Sequence, residues 1–191
     1  MKIETQRLLL RDLKKTDMHA VHDYASDPDV VRYMDWGPNN LDETAAFIKK
    51  ALEEQNEQPR YHYTLAIEQK TDKKLIGSCG LDVSNPGNRE GWIGYCLNKQ
   101  FWGKGYATEA AKALTGFGFK ELCLHRVFAT CDPANTASAH VLEKTGMNRE
   151  GHIREHRWSK GKWRDSLLYA IISQNENRVL TIESRSAKKA N

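Results

Sequence analysis

The chain of 191 residues is long enough for one domain with a real core and short for two. Hydrophobic residues make up 39% and charged residues 28% of it, and no apolar run approaches the ~18 residues that a membrane span needs. The net charge is +4 and the pI is near 8.8, short of the pI above ~9 that is typical of nucleic-acid-binding domains. We therefore expect neither a membrane nor a nucleic acid as a direct partner.

The N-terminal residues and the cysteines narrow the class of protein further. Residues 1–7 lack the apolar core of a signal peptide, which predicts a cytoplasmic location. The four cysteines form no C-x-x-C pair, and neither histidine pair, at 19/22 or 152/156, has an apparent third ligand. We expect no metal site and no disulfide framework.

The first half of the chain predicts a strand, helices and then a meander of strands. A buried strand is expected over residues 8–13, followed by helices over 18–24, from Asp27, and over 41–56. Three strands come next, over residues 61–68, 75–83 and 90–97.

The second half predicts alternating helices and strands. In chain order they are a glycine-bearing loop at 98–105, a helix at 107–122, a strand at 126–131, a helix at 135–145 and a hairpin of strands 150–158 and 162–172. The order favours a single α+β domain with a mixed sheet over a doubly wound nucleotide fold. We expect this domain to span residues 1–183 and residues 184–191 to be a frayed, basic tail.

The loop between the strand at 90–97 and the following helix has the pattern Gly103-x-Gly105-x-Ala107. Glycines let backbone N–H groups turn toward one point, and the helix behind them adds unpaired N–H groups and a positive dipole end. This pattern predicts a cradle for an anion such as a pyrophosphate. The third glycine of the dinucleotide fingerprint and the Gly-Lys-Ser/Thr of a P-loop are both missing.

Residues 93–110 as a whole resemble the acetyl-CoA motif of the GNAT acetyltransferase superfamily. One departure is Trp102, which stands where the family usually has Gln or Arg before the first glycine. Four further blocks resemble the RimJ/RimL-like ribosomal-protein N-acetyltransferase subgroup, namely Thr5 to Arg11, Ile76 to Gly80, Asn135 to Met147, and Trp163 to Asp165 with Tyr169.

The resemblance implies a fold and a co-substrate. It implies a mixed, mostly antiparallel sheet of about seven strands with flanking helices, and a central parallel pair, 92–97 and 126–131, that splays apart around acetyl-CoA. Backbone groups of Tyr95, Cys96 and Leu97 would pair with the pantetheine arm, and Asn135 would lie near the thioester. The pyrophosphate would be held by amides of Gly103, Lys104, Gly105, Tyr106, Ala107 and Thr108, and Lys104 is expected to add a positive charge.

The resemblance also suggests catalytic and acceptor residues. Ser138, one helical turn beyond Asn135, is expected to donate a hydrogen bond to the leaving thiolate. Glu90, at the start of the cleft strand, is the predicted base that deprotonates the amine, with a chain of water molecules as the alternative. The acceptor is expected to contact Tyr33, Asp35, Trp36 and Trp92.

Together these features imply an enzyme that transfers an acetyl group from acetyl-CoA to a primary amine by direct attack in a ternary complex. The expected acceptor is the N-terminal amine of a protein or peptide. The alternatives are a small amine such as a polyamine or an aminoglycoside antibiotic, a non-catalytic acyl-CoA-binding module, and a basic RNA- or ribosome-binding protein. The resemblance is also compatible with a homodimer.

Overall fold

The computed structural model describes residues 1–174, which fold as one mixed sheet covered by helices on both faces. The strands are β1 (Lys2–Glu4), β2 (Leu8–Asp12), β3 (His62–Gln69), β4 (Leu75–Asn85), β5 (Glu90–Leu97), β6 (Arg126–Cys131), β7 (Asn148–Ser159) and β8 (Lys162–Ile172). The helices are α1 (Met18–Ala25), α2 (Leu41–Glu54), α3 (Tyr106–Lys120) and α4 (Thr136–Thr145). Among these residues, no helix is both long and apolar enough to cross a bilayer.

The predicted α+β fold is confirmed, with eight strands in place of about seven. The additional strand, β1, has only three residues and was too short to predict. The helix predicted from Asp27 is wrong, because the segment forms turns in which the Asn39 N–H bonds to the Ala25 carbonyl at 2.9 Å and closes the loop. The predicted domain end at residue 183 and the predicted tail at 184–191 lie outside the described residues.

The order of strands in the sheet is β1-β2-β3-β4-β5-β6-β8-β7, and every neighbouring pair is antiparallel except β5 and β6. The parallel pair is registered at only three positions, Glu90 with Arg126, Gly91 with Val127 and Trp92 with Phe128. Beyond these positions β5 continues to pair with β4, and β6 continues to pair with β8. The two central strands therefore separate, as predicted.

Each face of the sheet has its own core. Leu81 and Ile93 pack with Leu114 of α3 on one face, whereas Cys96 packs with Val21 of α1 on the other. Side chains of a strand alternate between faces, so β5 contributes to both cores. Helices α3 and α4 thus lie on one side of the opening between β5 and β6, and α1 and α2 lie on the other.

A buried ion pair fixes the start of α1. The Arg11 guanidinium donates to both carboxylate oxygens of Asp17, at 2.8 and 2.9 Å, and to Glu68 at 2.7 Å. Burial alone would raise the pKa of Asp17, but the hydrogen bonds from Arg11 and from the Lys14 N–H, together with the positive charges of both residues, lower that pKa below its usual range. These contacts tie the segment that leads into α1 to strands β2 and β3.

Candidate active site

A cleft of about 740 Å³ opens where β5 and β6 separate. Its lining includes Tyr95 and Leu142 from the α3–α4 side of the sheet and Tyr24 and Cys96 from the α1–α2 side. The cleft therefore gives access to the opening from both faces of the sheet. Two ligands that enter from opposite sides can meet there.

The structure brings half of the predicted site residues to this cleft. Those that line it are Tyr33, Asp35, Trp36, Trp92, Tyr95, Cys96, Asn135 and Ser138. Glu90, Leu97 and residues 103–108 do not line it. Residues 103–108 belong to the neighbouring loop and the first turn of α3, where a longer ligand that leaves the cleft would pass.

Tyr95 and Ser138 form a hydrogen-bonded pair inside the cleft. The Tyr95 hydroxyl lies 3.0 Å from Ser138 Oγ and 3.2 Å from the Ser138 carbonyl oxygen. Burial raises the pKa of Tyr95 and outweighs the opposing hydrogen bond with Ser138, so the phenol keeps its proton. With Tyr95 as the donor in this pair, the Ser138 hydroxyl hydrogen is free for another acceptor.

Asn135 has a structural role that leaves part of its side chain free. Its Oδ1 accepts from the Ser138 N–H at 3.1 Å and caps the N-terminus of α4. Its amide nitrogen donates to no other group among residues 1–174. Asn135 therefore positions Ser138 and retains two N–H donors at the cleft.

The loop before α3 presents backbone N–H groups without partners. Gly103 and Gly105 have φ values of 72° and 79°, in the left-handed region that favours glycine, and α3 begins without a side-chain cap. None of the N–H groups of residues 103–108 donates a hydrogen bond elsewhere in the described chain. Consecutive free N–H groups at a helix N-terminus form a favourable environment for an anion.

The exposed edge of β5 supplies further backbone groups. The Asn98 N–H bonds to the Ile76 carbonyl of β4 at 2.9 Å, and backbone groups of successive strand residues point to alternate sides. The groups of Tyr95 and Leu97 therefore face the opening, whereas those of Cys96 face β4. This corrects the prediction for the Cys96 backbone, although its side chain lines the cleft.

Trp102 fixes the loop to the end of β5. Its indole Nε1 donates to the Leu97 carbonyl at 2.8 Å, although nearly half of the side chain is exposed. The residue that departs from the family pattern thus connects the strand edge to the glycine loop. The Lys104 ammonium lies 5.3 Å from the centre of the Phe101 ring, at the same loop.

The structure does not bring Glu90 to the cleft. Its carboxylate accepts from Arg126 Nη1 at 2.8 Å, where β5 and β6 still pair, and Arg126 also pairs with Glu150. A carboxylate that is engaged by a guanidinium outside the cleft is not placed to take a proton from an amine inside it. The prediction of Glu90 as the base therefore lacks the expected geometry.

Other carboxylates do line the cleft, and sequence analysis missed most of them. Among residues 1–174, five carboxylate side chains and two guanidinium groups, those of Arg157 and Arg164, line the cleft. The lining is therefore acidic, although the net charge of the chain is positive. The five are Asp35, Glu43, Asp82, Asp132 and Asp165. Their positions along the chain follow no local pattern.

The β7–β8 hairpin holds the loop at residues 31–37 over the cleft. Arg157 pairs with Asp35 at 2.6 Å, and Lys160 Nζ donates to the Val31 carbonyl at 2.7 Å. Arg164, which also pairs with Asp132, donates to the Met34 carbonyl at 3.2 Å. The predicted acceptor residues of this loop are therefore held in place by three cations that the sequence did not single out.

None of the three cysteines that line the cleft, Cys79, Cys96 and Cys131, is an activated nucleophile. Burial raises the pKa of the Cys79 thiol well above its usual range. Burial raises the pKa of Cys96 to about 12. Burial and the negative charge of Asp132 raise the pKa of Cys131 to about 11. All three thiols are protonated near neutral pH, and a thiolate is the reactive form. Within residues 1–174, no group of three or more His, Cys, Asp or Glu side chains is placed to hold a metal ion.

Comparisons with known proteins agree with this geometry. The family model described as the acetyltransferase (GNAT) domain matches residues 7–148. A Bacillus subtilis protein named as an uncharacterized N-acetyltransferase, YnaD, is 34% identical over 177 residues, which cover 93% of this chain and 100% of that protein.

Solved structures of other proteins have the same fold as this chain. An acetyltransferase of the GNAT family from Bacillus anthracis is 35% identical, with a TM-score of 0.81 over 90% of this chain and 98% of that one. RimL, a ribosomal alpha-N-protein acetyltransferase in complex with coenzyme A, is 21% identical, with a TM-score of 0.80 over 90% and 98% of the two chains. At that identity the likeness to RimL concerns the fold. The resemblance predicted from the sequence is confirmed.

Proposed function

The chain belongs to the GNAT acetyltransferase family and is an N-acetyltransferase that uses acetyl-CoA, and we propose that it acetylates the N-terminal amine of a protein or peptide in the opening between β5 and β6. The observation that carries this proposal is the cleft that reaches both faces of the sheet at the Tyr95–Ser138 pair. The acetyl donor enters from the α3–α4 side, and the amine enters from the α1–α2 side.

The donor site follows from unsatisfied backbone groups. The pyrophosphate of acetyl-CoA accepts from the free N–H groups of residues 103–108, where the helix dipole adds a positive potential. The amides of the pantetheine arm pair with the open edge of β5 at the N–H and C=O groups of Tyr95 and at the N–H of Leu97, whose carbonyl already accepts from Trp102. The Asn135 amide nitrogen donates near the thioester end.

The reaction on this proposal needs no covalent enzyme intermediate. The neutral amine attacks the thioester carbonyl carbon, a C–N bond forms, and the C–S bond breaks with its electron pair on sulfur. The proton that the nitrogen loses as it becomes an amide passes to the base or to solvent, and the thiolate leaves as CoA. Ser138 donates a hydrogen bond to the departing thiolate while Tyr95 donates to Ser138. The protonated states of Cys96 and Cys131 support direct attack over an acetyl-cysteine.

The base on this proposal is Asp82 rather than Glu90. Asp82 lies directly opposite Trp92 in the β4–β5 register, lines the cleft, and its Oδ1 lies 3.1 Å from His62 Nδ1. Both side chains of this pair are more than two fifths exposed, so a proton can pass from the cleft to solvent. A chain of water molecules is the alternative.

A macromolecular acceptor is supported by exposed aromatic side chains beside the cleft. Trp158 and Trp163 are 62% and 55% exposed and pack edge to face, with ring centres 5.5 Å apart. They lie on the same hairpin as Arg157 and Arg164, which line the cleft. Large exposed aromatic side chains are enriched where proteins bind other proteins.

A polyamine is the second candidate acceptor, and the acidic lining of the cleft favours it. Five carboxylates against two guanidinium groups suit a substrate with several positive charges.

On either proposal the reaction takes place in the cytoplasm, where acetyl-CoA and newly made proteins are both present. The homodimer stays a prediction.

Acceptor competition tests the proposed function. Purified protein is incubated with acetyl-CoA and one acceptor at a time, and the released CoA is measured by chromatography. The acceptors are a peptide with N-terminal Ser or Ala, the same peptide with a blocked N-terminus, spermidine and an aminoglycoside. We expect turnover with the free peptide and none with the blocked one. Turnover with spermidine alone would favour the second candidate, and turnover with the blocked peptide would contradict acetylation at the N-terminus.

Ser138→Ala tests the proposed leaving-group donor. We expect kcat to fall by about 100-fold, because the thiolate loses its hydrogen-bond donor, whereas the KM for acetyl-CoA changes by less than about twofold. Ser159→Ala is the matched control, because Ser159 is a buried serine of the same cleft whose hydroxyl has no hydrogen-bond partner among residues 1–174. Equal kcat values for Ser138→Ala and the wild type would exclude this role.

Asp82→Asn and Glu90→Gln distinguish the two carboxylates. We expect Asp82→Asn to lower kcat/KM at neutral pH by about 10-fold or more, with recovery as the pH rises and the amine loses its proton in solution. Glu90→Gln should leave the shape of the pH profile unchanged, because Arg126 already engages Glu90. The opposite pattern would assign the base to Glu90, and two unchanged profiles would favour the water chain.

A further inference from the structure

Arg7 connects the segment between β1 and β2 to the glycine loop before α3. Its Nε donates to Glu109 Oε2 at 2.7 Å, its backbone N–H donates to Glu109 Oε1 at 2.8 Å, and its Nη1 donates to the Lys104 carbonyl at 3.0 Å. The guanidinium also lies 4.5 Å from the centre of the Tyr106 ring. One side chain therefore holds both ends of the turn that leads into α3.

The carboxylate of Glu109 is the anchor of this arrangement. It lies in the first turn of α3 and also accepts from Thr5 Oγ1 at 2.6 Å. Burial would raise the pKa of Glu109, but the hydrogen bonds from Thr5 and Arg7 outweigh it and lower that pKa. Glu109 is therefore ionised at neutral pH and fixes the direction of the Arg7 guanidinium.

The third nitrogen of Arg7 remains available at the phosphate cradle. A Cβ atom placed on Gly105 would lie 3.4 Å from Arg7 Nη2, so this nitrogen is beside the free N–H groups of the loop. Nη2 donates to no group among the described residues, and the Arg7 side chain is 44% exposed. An arginine with a free N–H group beside such a cradle adds a charge-assisted donor for phosphate oxygen.

We propose that Arg7 is a phosphate-binding and positioning residue for acetyl-CoA, which shapes the glycine loop through Lys104 and Glu109 and donates from Nη2 to the pyrophosphate. This inference rests on the proposed donor site. Arg7 then supplies the positive charge beside the pyrophosphate that the sequence predicted for Lys104. The acetyl group and the acceptor amine are far along the ligand from this contact, so Arg7 acts on donor binding and not on the chemical step.

The test compares two acetyl donors that differ in their phosphates. Acetyl-CoA carries the pyrophosphate, and S-acetylpantetheine lacks it. We expect Arg7→Met to raise the KM for acetyl-CoA by about 10-fold or more with kcat within about twofold, and to leave the KM for S-acetylpantetheine unchanged. Arg7→Lys should recover only part of the affinity, because lysine keeps the charge and loses the planar fork.

Lys70→Met is the matched control. Lys70 Nζ donates to the Thr5 carbonyl and to Glu4, on the same segment as Arg7. Loosening of the segment alone should therefore raise the KM for acetyl-CoA in both variants, whereas the proposed contact affects only Arg7→Met. An equal rise for both donors in Arg7→Met would show a general structural effect and overturn the proposal.

Gly105→Glu separates this inference from the donor site on which it rests. A carboxylate in the cradle should raise the KM for acetyl-CoA strongly and should affect S-acetylpantetheine much less. A raised KM in Gly105→Glu with an unchanged KM in Arg7→Met would overturn the role of Arg7 and retain the donor site. An unchanged KM for acetyl-CoA in both variants would overturn the donor site and the role of Arg7 together.

Discussion

The separation of β5 from β6 is the constraint on which the rest of the site depends. The two strands pair at three positions and then diverge, because β4 holds one and β8 holds the other. Strands that diverge leave N–H and C=O groups without partners, and such groups need a ligand or water. The backbone edge of Tyr95 and Leu97 is thus a template for an extended ligand that carries amides of its own.

The loop before α3 and the lining of the cleft offer two different chemical environments. On the α3–α4 side, free N–H groups, the α3 dipole and Arg7 create a positive environment for phosphate. In the lining of the cleft as a whole, carboxylates outnumber guanidinium groups, which suits an amine. The positive loop and the acidic cleft suit a donor and an acceptor that meet in the same opening, and positioning supplies much of the rate in a reaction of this kind.

The parts of the site that the sequence predicts are those that depend on local geometry. Gly103 and Gly105 adopt left-handed conformations within one loop, and Asn135 caps the helix turn that contains Ser138. The glycine loop and the placement of Asn135 and Ser138 on one helical turn follow from spacing along a few residues and from the family resemblance, but the capping role of Asn135 was not predicted. The mixed sheet and the splay of its central parallel pair follow from the family resemblance, which four motif blocks in one chain order carry, whereas the full order of the strands was not predicted.

The parts that the sequence does not predict depend on contacts between distant residues. Arg7 meets Glu109 across 102 positions, and Arg164 meets the Met34 carbonyl across 130. No local pattern encodes such pairs, since a charged residue on a strand or loop has many possible partners until the fold brings one to it. Glu90 illustrates the converse, because its position on β5 was predicted and its partner Arg126 on the neighbouring strand was not.

Hydrogen exchange with and without coenzyme A tests the central claim most directly, namely that the opening between β5 and β6 and the adjoining loop hold the donor. The account predicts slower exchange at the amides of residues 95 and 97 and of residues 103–108 when coenzyme A is saturating, because these N–H groups then have acceptors. Unchanged exchange at both segments, with protection elsewhere in the chain, would contradict it.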